Sequence, residues 1–339
     1  MAQAEANDVD WGPRDGRGEW RPPGGVGEVP LLVWPPRPAA FFHWVFSTNG
    51  YFAPWFAFFG FVIVVQYFFF LPSLDRMATL SVDWIAELYV QNLVMLVAFN
   101  GGLQLWLYRF RPQGTRFKYN GKWPNYSSKT FLFSNQLADN VFWSVVSGCT
   151  VWTAYEVVML WASARHLLPS PSWSHNAVYF TVVLLLTPIW QVLHFYLTHR
   201  LIHSKWLYAH VHYLHHKNVN IGPWSGLAMH PIEHLIFFSA GLIFLFVPCS
   251  PFHIVFIMVR LGLQPAQGHA GFHEFEIGPV GAVHNDSYYH YLHHRYHTVN
   301  FGDDIIPLDR WFGTLHDGSE AAQAAMRKRS RAAIESQSK

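Results

Sequence analysis

Apolar residues gather into four stretches separated by polar connections, at Phe52 to Leu71, Ile85 to Tyr108, Val141 to Ala164 and Val178 to Leu197. Each reaches roughly the 20 residues that a helix needs to cross a bilayer. A fifth region, Leu235 to Leu263, is interrupted by Pro248, Cys249, Ser250 and Pro251. Its halves are too short to span comfortably, so the pattern predicts a re-entrant helical hairpin that enters the layer and returns. Residues 1–38 hold proline, glycine and both signs of charge without an apolar run, and read as a disordered or loosely docked tail. The expected fold is all-α: an integral membrane bundle of about four transmembrane helices plus the hairpin, followed by a histidine-rich helical cap.

Composition agrees with a membrane protein. Aromatic residues make up 18% and charged residues 13% of the chain, the latter about half the usual share. A net charge of +2, with no basic patch interleaved by aromatics, argues against nucleic acid as a partner. Two cysteines exclude a disulfide framework. The acidic start (Glu5, Asp8, Asp10) and the lack of an early apolar stretch speak against a cleaved signal peptide. The cluster Gly24-Gly25-Val26-Gly27 follows no predicted strand and opens no helix, so it is not read as a nucleotide loop.

Charge also sets the expected orientation. The connection Arg109 to Asn140 carries six basic residues (Arg109, Arg111, Arg116, Lys118, Lys122, Lys129), whereas the connections 72–84 and 165–177 carry one each, Arg76 and Arg165. This bias predicts that the tail, the middle loop and everything after Leu197 face the cytoplasm, in a bacterial inner membrane or the endoplasmic reticulum. Arg327, Lys328, Arg329 and Arg331 agree, and read equally as a solvated helix face or a contact to anionic lipid. Two carboxylates fall inside apolar stretches. Glu87 suits an interface, and Glu156 suits helix packing ahead of contact with a substrate head group.

The chemistry lies in the last third of the chain. Eighteen of the 21 histidines fall between His194 and His316. His199 and His203 are an i, i+4 pair, and His212-Tyr-Leu-His215-His216 and His290-Tyr-Leu-His293-His294 repeat an i, i+3, i+4 triple. Such positions neighbour one another about one turn apart, so each motif is expected to aim its rings at one point, as metal ligands do. A single histidine near an apolar segment is usually a satisfied polar residue; two copies of the triple behind a pair are not so explained. The ligands exceed what one tetrahedral zinc uses, which points to two metals. Imidazole suits zinc, copper, iron and nickel alike. A histidine-rich, carboxylate-poor, cytoplasm-facing pair of sites fits redox iron, with zinc as the alternative.

Three histidine boxes behind the apolar spans resemble the fatty acid hydroxylase and sterol desaturase superfamily of membrane-bound di-iron oxidases. The resemblance covers about Gln191 to Leu315. Tyr196-Leu-Thr-His199-Arg200-Leu-Ile-His203 looks like its first box, His212 to His216 its second and His290 to His294 its third. His230-Pro231-Ile232-Glu233-His234 resembles the segment after the second box, and His269-Ala-Gly-Phe-His273 the histidine region before the third. Asn300-Phe301-Gly302 and Asp309 to Thr314 look like the closing signature. The implied domain plan is a tail at 1–40, a transmembrane region at 41–190, the hydroxylase-like catalytic region at 191–318 and a basic tail at 319–339.

The resemblance implies that His199, His203, His212, His215, His216, His290, His293 and His294 bind two iron ions, with His269 and His273 completing the set. It implies no catalytic residue apart from these ligands. His230 and His234 have ligand spacing too, but equally suit a helix start with Glu233 in its first turn. His194, five residues before His199, stands about 140° away around a regular helix and would face elsewhere. His210, His253, His284, His297 and His316 are expected to make ordinary hydrogen bonds. Asp286, Asp303, Asp304 and Asp309 are the available partners for ligand rings.

The implied function is O2-dependent hydroxylation of a membrane lipid, whether fatty acyl, sterol or amino-acid-containing, with sterol-type desaturation at the same site as the alternative. No dinucleotide fingerprint, iron–sulfur cysteine set or haem domain is recognisable, so a separate electron donor, a ferredoxin or cytochrome b5-type protein with its reductase, is expected. A non-catalytic zinc-handling membrane protein is the competing reading. Transport would call for ionisable residues along the spans, where only Glu156 qualifies. An inactive relative is disfavoured because all three boxes are intact.

Overall fold

A computed structural model of the chain describes residues 14–124, 126–171, 173–285, 287–303 and 305–337. Glu5, Asp8, Asp10, Asp286 and Asp304 lie outside the described residues. The described chain is mostly helical and contains one small hairpin. Three helices are long and apolar enough to cross a membrane: Val82–Phe110 (α2), Gln136–Ala164 (α3) and Trp173–Ile202 (α4). The first apolar stretch forms a shorter helix, Trp55–Phe70 (α1), bounded by Pro54 before it and Pro72 after it. Four apolar stretches thus yield three helices of spanning length among the described residues.

The interrupted fifth region folds as two helical pieces, Pro231–Leu245 (α5) and Pro251–Gly268 (α6), with the break at 246–250. Prolines 248 and 251 lack the N–H groups that would carry a helix through. Every residue of α6 from His253 to Leu263 is buried, because the helix is packed by α1, α2, α3 and α4. This stretch is apolar apart from His253 and Arg260, as suits a helix packed on all sides. Its crossing with α3 is close enough that a Cβ on Gly262 would stand 2.3 Å from the Trp152 ring. Glycine is required there by space.

Inside α4, Pro188 removes one backbone hydrogen bond, and the nearby Thr187 hydroxyl donates to Val183 O at 2.7 Å. Glu156 is buried and accepts a 2.8 Å hydrogen bond from Asn92 Nδ2, joining α2 to α3 as the packing reading expects. Glu87 pairs with Arg76 at 3.0 Å in an exposed position near the start of α2.

Within the described part of the N-terminal segment, residues 14–20 dock on the connection after α2. Trp20 is buried, stacks on Tyr119 at 6.3 Å between ring centroids, and donates its backbone N–H to Tyr119 O at 2.8 Å. Arg14 reaches Thr115 O at 2.7 Å. One tryptophan and one arginine therefore pin residues 14–20 to the cap. Glu274–Glu276 (β1) and Ala282–His284 (β2) pair antiparallel, with Phe275 opposite Val283. The helix Tyr288–Tyr296 (α7) follows, and Glu320–Gln337 (α8) ends the described chain.

Candidate metal centre

Four chain segments deliver histidines to one place. The last turns of α4 carry His199, with His203 just beyond the helix end. A short helical stretch at 205–216 carries His212, His215 and His216, and its turn Tyr208–His212 is a widened, π-type turn. His269 caps the C-terminus of α6, and α7 carries His290, His293 and His294. All but His203 and His290 of these nine are fully buried.

The rings sort into two groups. His199, His203, His212, His216 and His293 form one, and His215, His269, His290 and His294 the other; within each, ligand atoms lie within 4.8 Å of one another. Each His-x-x-His-His triple is divided between them. In the first triple His212 and His216, at i and i+4, enter the five-membered group while His215 enters the four-membered one. In the second, His290 and His294 enter the four-membered group and His293 the other. The i+3 and i+4 positions flank the axis through residue i on opposite sides. One triple thus serves two points, where one point was expected.

Contacts in each group run from Nε2 to Nε2. His199 to His212 is 3.1 Å, His212 to His203 is 3.0 Å, and His293 stands 3.1 Å from both His203 and His216. In the second group His269 lies 3.3 Å from His215, 3.0 Å from His294 and 3.1 Å from His290. The opposite ring nitrogens of three residues are already committed. Nδ1–H donates to a backbone carbonyl from His199 (Phe301 O, 2.6 Å), His293 (Val299 O, 2.7 Å) and His269 (Pro265 O, 2.8 Å). A carbonyl only accepts, so in the neutral ring Nε2 bears a lone pair and no proton. On His269 that one lone pair faces three other ring nitrogens, more than it can satisfy by hydrogen bonding.

Protonation does not resolve the crowding. Burial, reinforced by the positive charge that neighbouring imidazoles would carry, holds His212, His215, His216, His290, His293 and His294 well below the ordinary imidazole range. Burial pushes His269 down to about 4. Neutral rings converging through bare nitrogens are what a metal cation requires. Ligands at right angles around an ion about 2.1 Å away stand roughly 3.0 Å apart, close to the observed spacings. The donor set therefore fits a cation in each group.

Outer contacts hold the rings. Glu233, in the first turn of α5, takes a 2.7 Å hydrogen bond from His212 Nδ1. Asp309 is buried and accepts from Phe301 N at 3.0 Å, Gly302 N at 2.8 Å, Tyr289 Oη at 2.7 Å and the Thr314 hydroxyl. It fixes the backbone whose Phe301 carbonyl orients His199. Glu233 was legible only as a helix-start residue. Its one sequence signal is its place in His230-Pro-Ile-Glu-His234, between the second and third boxes.

The remaining histidines lie elsewhere. His273 is not brought to either group; it sits with Glu274 and His284 in a separate, half-buried cluster, 3.3 Å from Tyr119 Oη. His194 contacts Ser239 Oγ at 3.0 Å, and His230 caps α5 by accepting Ile232 N–H at 3.2 Å. His234 lies 2.8 Å from Ser147 Oγ and 3.1 Å from Leu227 O. His210 and His253 donate to Trp206 O and Phe180 O, both at 2.9 Å. His297 contacts Tyr208 Oη at 2.9 Å, and His316 accepts Gly318 N–H at 3.0 Å.

A cavity of about 440 Å³ opens onto the rings of His199, His212, His215, His269 and His290. Trp55, Phe56, Val192, Phe195 and Phe237 give it an apolar wall drawn from α1, α4 and α5.

Residues 180–314 match the fatty acid hydroxylase family. The matched segment begins within α4 and ends at Thr314, enclosing all nine clustered histidines. A sphinganine C4-monooxygenase of Arabidopsis thaliana is 30% identical over 148 residues, 40% of this chain and 53% of the relative. A Delta(7)-sterol-C5(6)-desaturase of Nicotiana tabacum is 28% identical over 166 residues, 47% of this chain and 58% of the relative. A very-long-chain aldehyde decarbonylase of Oryza sativa is 30% identical over 163 residues, 45% of this chain and 58% of the relative. The chain spans about half the length of the curated relatives it matches. No solved structure gives a significant match.

Proposed function

We propose that this protein is an oxidoreductase that hydroxylates a membrane lipid at the expense of O2, with two iron ions as cofactors. The observation that carries the reading is the pair of groups of neutral, inward-facing Nε2 atoms on the wall of an apolar cavity. His199, His203, His212, His216 and His293 hold one ion, and His215, His269, His290 and His294 the other. Bound iron would supply O2 activation, which an unactivated C–H bond needs and ordinary side chains do not provide. The protein's own groups bind and orient. Carbonyls 265, 299 and 301 and Glu233 keep the rings turned inward, and the aromatic wall aligns an acyl chain or ring while excluding water.

The balance is lipid, O2, two electrons and two protons giving hydroxylated lipid and water. Desaturation at the same site consumes the same reagents and gives an alkene and two waters, a second reading favoured by the likeness to a sterol desaturase. A cytoplasmic electron donor, a ferredoxin or a cytochrome b5-type protein, docks near the cap. The basic connection after α2 and the single cations elsewhere support the cytoplasmic placement. Zinc transport is less well supported: Glu156, buried and bonded to Asn92, packs helices together rather than marking a path. Lipid mass spectrometry on membranes with and without the protein tests the reading. Species gaining one oxygen support hydroxylation, species losing two hydrogens support desaturation, and an unchanged lipid profile counts against both.

A further inference from the structure

The cavity that meets the histidines also holds a cation that pairs with no carboxylate among the described residues. Arg260 projects from the otherwise apolar helix α6 and is 5% exposed. It lines the same cavity. Its Nε donates to Gln191 Oε1 at 3.3 Å and one Nη2 hydrogen donates to Gln264 Oε1 at 2.9 Å. Gln191 Nε2 itself donates to Gln264 Oε1 at 3.3 Å, so the two glutamines fix the guanidinium plane. Rings of Phe59 and Phe256 lie 5.8 and 5.7 Å from it. A guanidinium has five N–H donors, and the rest of them meet no protein acceptor among the described residues. No carboxylate of the described residues forms an ion pair with it; Tyr51 and Asp303 border the same cavity without making a hydrogen bond or ion pair to it. A buried charge is costly to keep unless something pairs with it.

We infer that Arg260 anchors the anionic end group of the lipid, a carboxylate or a phosphate, so that the substrate is an acidic, chain-bearing amphiphile. The planar fork with its free edge suits either group in a two-point contact. Neutral sterols and fully esterified lipids leave the guanidinium unpaired. The anchor is set apart from the metal groups. Gln264 precedes His269 by five residues on α6, and Gln191 precedes His199 by eight on α4, which is about 8 to 12 Å of helical rise. The attacked carbon therefore stands several bonds along the chain from the anion rather than next to it.

The charge assignment rests on the cavity itself; that the occupant is a lipid rests on the oxidase reading. Detergent-solubilised full-length protein is titrated with hexadecanoic acid, hexadecyl phosphate and methyl hexadecanoate. At least one anionic probe should bind tenfold or more tightly than the ester, and which one identifies the head group. Arg260→Gln should bring that ratio close to one, and Arg260→Lys, which keeps the charge without the fork, should keep part of it. Equal binding of all three probes to the unaltered protein overturns the inference, whether or not the variants fold, as does a preference that survives in folded Arg260→Gln. Incubation with O2 and a reducing system separates the two claims. An anionic preference without any oxidised product leaves the anchor standing and the oxidase reading fallen; oxidation of neutral lipids without that preference does the reverse.

Discussion

The Glu233 carboxylate accepts the Nδ1 proton of His212 at 2.7 Å, while the other nitrogen of that ring faces His199 and His203 at 3.1 and 3.0 Å. Both partners are buried. The contact fixes the tautomer, aims the lone pair inward and makes the ring a stronger donor. Glu233→Gln keeps one acceptor oxygen and replaces the other with an amide NH2, and Glu233→Ala removes the whole acceptor. Metal affinity should fall by about 10 to 100-fold in Glu233→Ala, with a smaller loss in Glu233→Gln. Competition with a chelator measures this, and unchanged affinity in both would show that the carboxylate does not tune the ring.

The two groups can be struck separately. His293→Ala removes a ring from the five-membered group and His215→Ala one from the four-membered group. Each variant should lose turnover and lose more of one ion than of the other, while inserting into membranes normally, since α2, α3 and α4 do not depend on the cages. Lipid oxidation assays and protease protection of the membrane-inserted chain report the two effects. Turnover retained in both variants would remove these histidines from the site.

Much of this centre is legible from spacing. The pair at His199 and the two triples point to ligand sets from spacing alone, because repeated i, i+3, i+4 imidazoles have no ordinary packing role. Spacing does not reveal the division of each triple between two groups. That depends on how the 205–216 stretch and α7 are rotated against each other, a tertiary fact. Glu233 is hidden for the same reason, being 21 residues from His212. The spans are legible by length except for α1, where flanking prolines shorten the helix. Docking of residues 14–20 rests on two individual side chains, Trp20 and Arg14, which average composition does not register.

Asp309 acts on the centre through backbone. Asp309→Ala would strand the Phe301 and Gly302 N–H groups and two hydroxyls in a buried setting. Each unsatisfied group costs about 1 to 3 kcal/mol, so stability should drop by roughly 3 kcal/mol or more. The thermal midpoint should fall even in metal-free protein. A midpoint within a degree of the original would contradict this role.

Acid should weaken the metal-free protein in a defined direction. Burial lowers His269 from 6.5 to about 4, and holds the neighbouring ligand rings well below the ordinary imidazole range. The unfolded chain then binds more protons than the folded one as pH falls below about 6.5, so folding loses about 1.4 kcal/mol per pH unit for each such ring. The contribution is complete above pH 6.5 and is lost progressively down to about pH 4 for His269. Thermal unfolding across that range tests it; a flat profile would show that the rings are not buried neutral.

The most direct test of the central claim is the metal content of purified protein from iron-replete cells, combined with X-ray absorption at the metal edge. Two imidazole groups predict two ions per chain, each bound by nitrogen and oxygen at about 2.0 to 2.2 Å without sulfur. Folded protein that takes up one ion or none, with all nine rings intact, would contradict the account.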